Sequence, residues 1–181
     1  MKGKELTGCK VAAMSVFDIR RCAENFRSYV GSVTGKSGLF LERLIKGGVL
    51  HIVPDDDAGL ETAEACYFPD ERCIYLRDRD YRGIAEGTNR RARFTLWHEI
   101  GHMLLGHDKK FARDCTGKLL EHKLYEDSEW QANTFAAEFL MPLSVIRSER
   151  LFCPDQLMEA FGVSRRAAEV RLDSLMRRRE I

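Results

Sequence analysis

The chain of 181 residues lacks the features that mark membrane, secreted and disulfide-stabilised proteins. No apolar run reaches the roughly 20 residues that a membrane-spanning helix needs. Residues 1–7 contain no hydrophobic region of the kind that directs secretion, so the sequence predicts a cytoplasmic protein. The six cysteines include no Cys-x-x-Cys pair, which argues against a redox motif and against a cysteine-rich structural zinc site.

The chain also lacks a strong charge of either sign. A formal net charge of +1 gives no general attraction to nucleic acids or to anionic membranes. Hydrophobic residues at 44% and charged residues at 31% are typical of a globular protein. The length suits one domain, or one domain with a small appendage, and carries no signal for an oligomeric state.

The most informative segment is 94–107, Phe-Thr-Leu-Trp-His-Glu-Ile-Gly-His-Met-Leu-Leu-Gly-His. It contains His-Glu-x-x-His at His98, Glu99 and His102. Residues four apart on an α-helix are offset by about 40° and roughly 6 Å, so both imidazoles project from one face. That pair suits two nitrogen ligands of a tetrahedral Zn²⁺. Glu99, beside them, is placed to act as a general base on a water molecule.

The alternative to a metal site is a purely structural helix. The segment is apolar on most sides, which is typical of a buried helix. Two histidines and a glutamate in such a helix cost free energy unless other groups satisfy them. They could bond to backbone carbonyls of the core, but the specificity of the His-Glu-x-x-His motif favours a metal.

A catalytic zinc site needs a third protein ligand. The longer signature with a glycine three and a histidine six residues after the second histidine is not met, because Leu105 and His107 stand at offsets three and five. A separate helix should therefore supply the ligand. The best candidate is segment 126–142, in which apolar residues recur at helical spacing until Pro142. Glu129 lies on the flank of its predicted buried face.

These two segments together resemble the ImmA/IrrE metallopeptidases. They read Phe-Thr-Leu-x-His-Glu-x-Gly-His-x-Leu-Leu and Glu-x-x-Ala-Asn-x-Phe-Ala-Ala-Glu-x-Leu-Met-Pro, and the resemblance covers at least residues 93–142. It implies a gluzincin-like endopeptidase with one Zn²⁺ per chain. The implied metal ligands are His98, His102 and Glu129, and the implied base is Glu99.

The resemblance has two further implications. Asn133 stands where gluzincins carry a carboxylate that orients a ligand histidine, and its amide oxygen can accept a hydrogen bond from an imidazole N–H. The implied partner is a protein substrate, a helix-turn-helix repressor whose cleavage relieves repression of a mobile element or a stress regulon.

The spacing of apolar residues predicts an α+β fold, mostly helical, with a small antiparallel sheet before the metal helix. The predicted elements are a helix at 15–29, a short helix at 39–45, a strand at 49–53, and a hairpin of strands 65–68 and 73–76. By analogy with zinc peptidases, the hairpin or the first strand would pair with an extended substrate. Residues 78–89 are predicted to be a charged connection, with Thr88 or Asn89 capping the metal helix.

Three side chains outside the motifs are candidates for stabilising the tetrahedral intermediate of peptide hydrolysis. They are His107, His122 and Tyr125, each of which carries a hydrogen-bond donor. The alternative is a surface or supporting role for each, and their spacing does not decide between the two.

The C-terminal residues predict a helix-turn-helix pattern. A helix from Pro154 is followed by a Gly-Val-Ser turn and a second helix capped by Ser164. We therefore predict a metallopeptidase core at 1–142 and a helix-turn-helix-like segment at 143–181 that packs on it. Acidic residues dilute the arginines of the second helix, which favours packing or partner docking over DNA binding.

This segment defines the alternative function. The chain would then be a metal-stabilised transcriptional regulator or protein-interaction module, and its zinc would be structural. Structural zinc sites usually have four protein ligands with cysteines among them. The presence of Glu99 and the absence of a fitting cysteine favour the peptidase.

Overall fold

The computed structural model describes residues 6, 8–30, 37–57, 60, 63–107 and 122–181, with the backbone alone at 37–39. Within these ranges the chain has eight α-helices and three strands, which confirms the predicted α+β class. The elements are α1 Val16–Val30, α2 Ser37–Lys46, β1 Leu50–Val53, β2 Ala65–Phe68, β3 Cys73–Arg77, α3 Asp78–Ala85, α4 Arg90–Leu104, α5 Ser128–Leu140, α6 Leu143–Ser148, α7 Pro154–Phe161 and α8 Arg165–Arg177.

The sheet is mixed, whereas the sequence predicted an antiparallel one. The β2–β3 hairpin is antiparallel, as expected from its polar turn at 69–72. Strand β1 lies on the other side of β3 and runs parallel to it, in the order β1-β3-β2. The apolar pattern of β1 marks it as a strand but carries no information about which neighbour it pairs with.

The prediction of a charged connection at 78–89 was wrong, since residues 78–85 form helix α3. Its outer face is charged, and its buried face consists only of Asp80, Gly83 and Ile84. So few buried residues give no recognisable apolar periodicity. Asn89 donates from Nδ2 to Asp80 Oδ1 at 2.8 Å and accepts from the backbone N–H of Ala92 at 3.0 Å. Asn89 is thus the N-cap of α4 and ties it to α3.

The core is centred on the contact between α4 and α5. Trp97 of α4 stacks on Phe139 of α5 with ring centroids 3.9 Å apart, and Phe26 and Phe40 pack around this pair. Aromatic contacts of this kind add to the free energy gained by burying the rings. The helices of the two predicted metal-binding segments therefore form the centre of the fold.

Gly101 allows α4 and α5 to approach this closely. A Cβ at this position would lie 3.1 Å from Phe135 Cδ1, 3.2 Å from Ala132 O and 3.3 Å from Ala132 Cα. Those distances are shorter than ordinary contacts, and two of the three atoms belong to the backbone of α5. The separation of the helices is therefore set by main-chain contact.

The substitution Gly101→Ala is expected to destabilise the protein. Alanine is normally the better helix former by about 1 kcal/mol, but overpacking a tight core costs roughly 1–3 kcal/mol. We expect a net loss of about 1 kcal/mol, measured as a lower urea midpoint. An unchanged or raised midpoint would show that α5 moves away at no cost.

A buried ionic cluster joins α5 to α1 and α8. The carboxylate of Glu138 accepts two hydrogen bonds from Arg171, at 2.7 and 2.6 Å, and is also bonded by Arg20 at 3.0 Å. Arg20 pairs in addition with Glu180 at 2.8 Å. Burial raises the pKa of Glu138, but the bonds from Arg171 and then Arg20 outweigh burial and lower it overall.

The turn between α7 and α8 is held by arginines of α4. Arg93 donates to the carbonyls of Phe161 and Gly162, and Arg90 donates to that of Val163. The predicted Ser164 cap of α8 is present, since its Oγ accepts from the N–H of Ala167 at 3.2 Å.

The C-terminal helices share the core of the rest of the chain, because Leu157, Leu172 and Leu175 are buried in the same cluster as residues of α4 and α5. The division at residues 142 and 143 stays a prediction. No helix among the described residues combines the length and the apolar character needed to cross a membrane.

Candidate metal centre

The three predicted ligands meet at one point between α4 and α5. The Nε2 atoms of His98 and His102 lie 2.9 Å apart. Glu129 places Oε2 3.1 Å from His98 Nε2 and Oε1 3.2 Å from His102 Nε2. These are the residues that, among those described, form a group able to hold a metal ion.

The electrostatics of this cluster call for a positive charge at its centre. Burial opposes a charge on His98, but the hydrogen bond and the charge of Glu129 outweigh it and raise the pKa of His98. Burial likewise opposes a charge on Glu129, yet the bonds from His102 and His98 lower the pKa of Glu129 far below its usual range. Two imidazole nitrogens and a carboxylate that face each other repel unless a proton or a cation lies between them. The donor set therefore fits a divalent metal ion.

Asn133 lies where the sequence placed it. Its Oδ1 is 3.2 Å from Nδ1 of His98, one turn of α5 beyond Glu129. An amide oxygen only accepts, so it favours the tautomer of His98 with a proton on Nδ1. That tautomer leaves the Nε2 lone pair facing the cluster.

His107 contacts the cluster from the far side of His102. Its Nδ1 is 2.9 Å from Nδ1 of His102, and its Nε2 is 3.0 Å from Oε1 of Gln131. Burial lowers the pKa of His107 to about 4, and the bond to Gln131 offsets only part of that effect. The sequence left the role of His107 open and gave Gln131 none.

A local signal for this contact was present in the sequence. Gly106 adopts a left-handed φ of 70° at the end of α4, and the N–H of His107 donates to the carbonyl of His102 at 3.0 Å. The N–H of Gly106 donates to the carbonyl of Met103, which completes a Schellman motif. A glycine at the end of a helix reverses the chain, so the histidine that follows it packs against the last helical turn.

Glu99 lies between the cluster and the sheet. Its Oε2 accepts a hydrogen bond of 2.8 Å from the backbone N–H of Tyr67 in β2, and its Oε1 is 4.0 Å from His98 Nε2. The carboxylate is thus fixed to β2 through one oxygen and sits beside the ligands without joining them. Among the candidates for pairing with a substrate, the hairpin strands and β1, strand β2 is the one that bonds to this base, and the pairing itself stays a prediction.

The other two candidate donors lie near the start of α5. His122 is 3.0 Å from Asp127, the N-cap of that helix, and Tyr125 offers its backbone carbonyl to Gln131. The role of intermediate-stabilising donor stays a prediction for both. Residues 108–121, between α4 and His122, lie outside the described residues.

A cleft of about 390 Å³ opens beside the candidate centre. It is lined by Tyr67, Pro69, Arg72, Met103, Gly106 and His107. The cleft therefore borders both the strand that holds Glu99 and the histidine that contacts His102. Its walls combine apolar side chains with the polar groups of Arg72 and His107.

Comparison with known proteins gives a family and a fold. Residues 61–173 match the model of a peptidase family described as the IrrE N-terminal-like domain. No curated protein matches the chain. Among solved structures, a Mycobacterium tuberculosis transcriptional regulator is similar with a TM-score of 0.54 and 20% identity, over 85% of this chain and 46% of the regulator. The chain thus spans less than half of that regulator, and a likeness at this identity shows the fold alone.

Proposed function

Because the chain belongs to the family of peptidases that share the IrrE N-terminal-like domain, we propose that it is a metal-dependent endopeptidase. The observation that carries this proposal is the meeting of His98, His102 and Glu129 within reach of one ion, with Glu99 beside them. A partly buried group of ligands with a carboxylate next to it, but outside the ligand set, is what hydrolytic metal sites require.

We assign the ion as Zn²⁺, one per chain, since two imidazoles and one carboxylate form a common catalytic zinc set. His98, His102 and Glu129 would hold it, and Asn133 orients His98. A bound zinc ion supplies Lewis acidity, which polarises the peptide carbonyl and lowers the pKa of water. The same donors also accept other divalent ions, so metal analysis decides the identity.

Glu99 is the proposed general base. With Oε2 fixed by the N–H of Tyr67, its Oε1 accepts the proton of the attacking water and later passes it to the leaving amine. The hydrogen bond to β2 fixes the position of the carboxylate before substrate arrives. Such preorganisation is a large part of what an active site contributes to rate.

The proposed substrate is a helix-turn-helix repressor. The support for this choice is the resemblance of the two motif segments to the ImmA/IrrE peptidases. The cleft next to Tyr67 and His107 would take one side chain of the substrate, since Tyr67 holds the base and His107 contacts one ligand.

We propose that α7 and α8 pack on the peptidase and do not bind DNA. Arg171 is buried against Glu138, while Arg165 and Arg177 pair with Asp155 and Asp173. Arginines that already pair with carboxylates attract the phosphates of DNA less strongly. A gel shift with Arg165→Ala plus Arg166→Ala tests the regulator alternative, which requires salt-sensitive DNA binding that this variant weakens.

The metal content of ligand variants is the first prediction of the proposal. Wild-type protein purified without a metal-affinity tag is expected to carry about one zinc per chain, and His98→Ala and Glu129→Ala to lose it. Elemental analysis measures this directly. Glu159→Ala, which removes an exposed carboxylate of α7, is the matched control and should keep the metal. Zinc retained in Glu129→Ala but lost in His98→Ala would contradict the assignment of Glu129 as the third ligand.

The proposed activity is tested with the zinc-loaded full chain and purified helix-turn-helix repressors from the same genome. Mass spectrometry would detect new termini at one or a few peptide bonds. Absence of cleavage by a protein that holds zinc would contradict the peptidase and favour the regulator.

A further inference from the structure

A continuous row of hydrogen bonds runs from a candidate metal ligand to the backbone. It begins at Nδ1 of His102, passes through both ring nitrogens of His107 and reaches Oε1 of Gln131. The amide nitrogen of Gln131 then donates to the carbonyls of Ala12 and Tyr125, both at 2.8 Å. All the side chains in this row are buried.

The two carbonyls fix where the protons lie along this row. A carbonyl only accepts, so both N–H groups of Gln131 are used on Ala12 and Tyr125, and its Oε1 must be the atom that faces His107. Nε2 of His107 therefore carries a proton. The ring is buried against an amide and an imidazole, so it stays neutral and its Nδ1 is an acceptor. The proton between the rings then belongs to Nδ1 of His102.

We propose that His107 is a positioning residue that fixes His102 in the tautomer whose Nε2 lone pair faces His98 and Glu129. If Nδ1 of His102 had no acceptor, the tautomer with the proton on Nε2 would be the more stable one, because that proton could bond to Glu129 Oε1, which lies 3.2 Å away. A proton there blocks the nitrogen for a metal ion. The inference rests on the proposed metal site for its consequence, but the tautomer itself is a property of the metal-free protein.

His107 is not a fourth ligand, since it contacts the nitrogen of His102 that points away from the cluster. The arrangement matches that of His98, whose Nδ1 is held by Asn133. Both neutral amides that set the tautomers, those of Gln131 and Asn133, are on α5 together with Glu129. One helix thus supplies a ligand and orients the other two.

The test measures the tautomer of His102 by nitrogen NMR of ¹⁵N-histidine-labelled, metal-free full chain. In the wild type we expect the proton on Nδ1. In His107→Phe, which keeps a ring but removes the acceptor, we expect the population with a proton on Nε2 to rise. The zinc dissociation constant, measured by competition with a chelator, is expected to rise about 10–100-fold, as for other partners of ligand histidines.

Three further variants separate this role from a merely structural one. His107→Asn places an amide oxygen near the former Nδ1 and should restore the tautomer and most of the zinc affinity. Gln131→Met should reproduce the effect of His107→Phe from the far end of the row. His51→Phe is the control, because His51 is exposed and stacks on Tyr75 in the sheet.

The outcomes are distinct. If His107→Phe does not fold, the comparison of His107→Asn with Gln131→Met still shows whether the row of hydrogen bonds sets the tautomer of His102. An unchanged His102 tautomer and unchanged zinc affinity in Gln131→Met and His107→Phe would overturn the inference. A shifted tautomer in a protein whose wild type binds no zinc would instead uphold the positioning role and contradict the proposed function.

Discussion

Replacement of Glu99 by glutamine is expected to reduce peptide-bond cleavage by about 10²–10⁴-fold, the usual contribution of a general base. The amide oxygen of glutamine can still accept the hydrogen bond from the N–H of Tyr67, so the side chain should keep its place. It has no basic oxygen to take a proton from water. Zinc content and thermal midpoint should therefore match those of the wild type.

The control for this variant is Glu64→Gln. Glu64 also borders α4, where it accepts from Thr95 and pairs with Arg91, but its contacts lie outside the ligand cluster. Its replacement should leave the cleavage rate within about a factor of two of the wild type, because Glu64 contacts neither Glu99 nor a ligand. Cleavage of a quenched-fluorescence peptide library gives both rates. Equal activity of Glu99→Gln and wild type would show that Glu99 is not the general base.

Replacement of Glu138 by glutamine is expected to cost about 3–5 kcal/mol of unfolding free energy, as for other broken buried ion pairs. The change leaves Arg171 buried without its anion and removes one of the two carboxylates that pair with Arg20. For a chain of this size the melting temperature should fall by about 10 °C. Asp173→Asn is the matched control, because its pair with Arg177 is exposed, and it should cost less than about 1 kcal/mol. A similar small loss in both variants would show that the cluster does not stabilise the fold.

The same carboxylate predicts part of the acid sensitivity of the protein. Since the pKa of Glu138 is lowered by folding, its contribution is present above the unfolded-state pKa of about 4.3 and is lost as pH falls through the folded-state pKa. Urea titrations at pH 5 and pH 3 should therefore show a smaller loss on acidification for Glu138→Gln than for the wild type. An equal loss would assign the acid sensitivity to other groups.

Local patterns predicted most of the fold because they depend on neighbours in the sequence. The helix at 15–29, the hairpin and the Ser164 cap are observed close to the predicted positions. The parallel pairing of β1 and the presence of α3 were missed for two different reasons. Pairing of β1 is a choice between distant partners, and the few buried side chains of α3 are outnumbered by charged ones.

The candidate ligand set was predictable because each part has a local signature. His98 and His102 follow from helical spacing, and Glu129 follows from a second recognisable segment. The supporting contacts were only partly predictable. Asn133 was expected from the resemblance, whereas Gln131 could not be, since its partners Ala12 and Tyr125 come from distant or irregular segments.

The ionic cluster around Glu138 has a consequence for biosynthesis. A ribosome makes the candidate metal ligands and Glu138 before it makes Arg171, whose guanidinium neutralises that carboxylate. Until α8 has left the exit tunnel, Glu138 of α5 lacks Arg171, and the core lacks the buried side chains of Leu172 and Leu175. Chains fold cotranslationally as their stabilising segments emerge. The nascent chain is therefore expected to complete its candidate metal centre only after α8 has emerged from the ribosome.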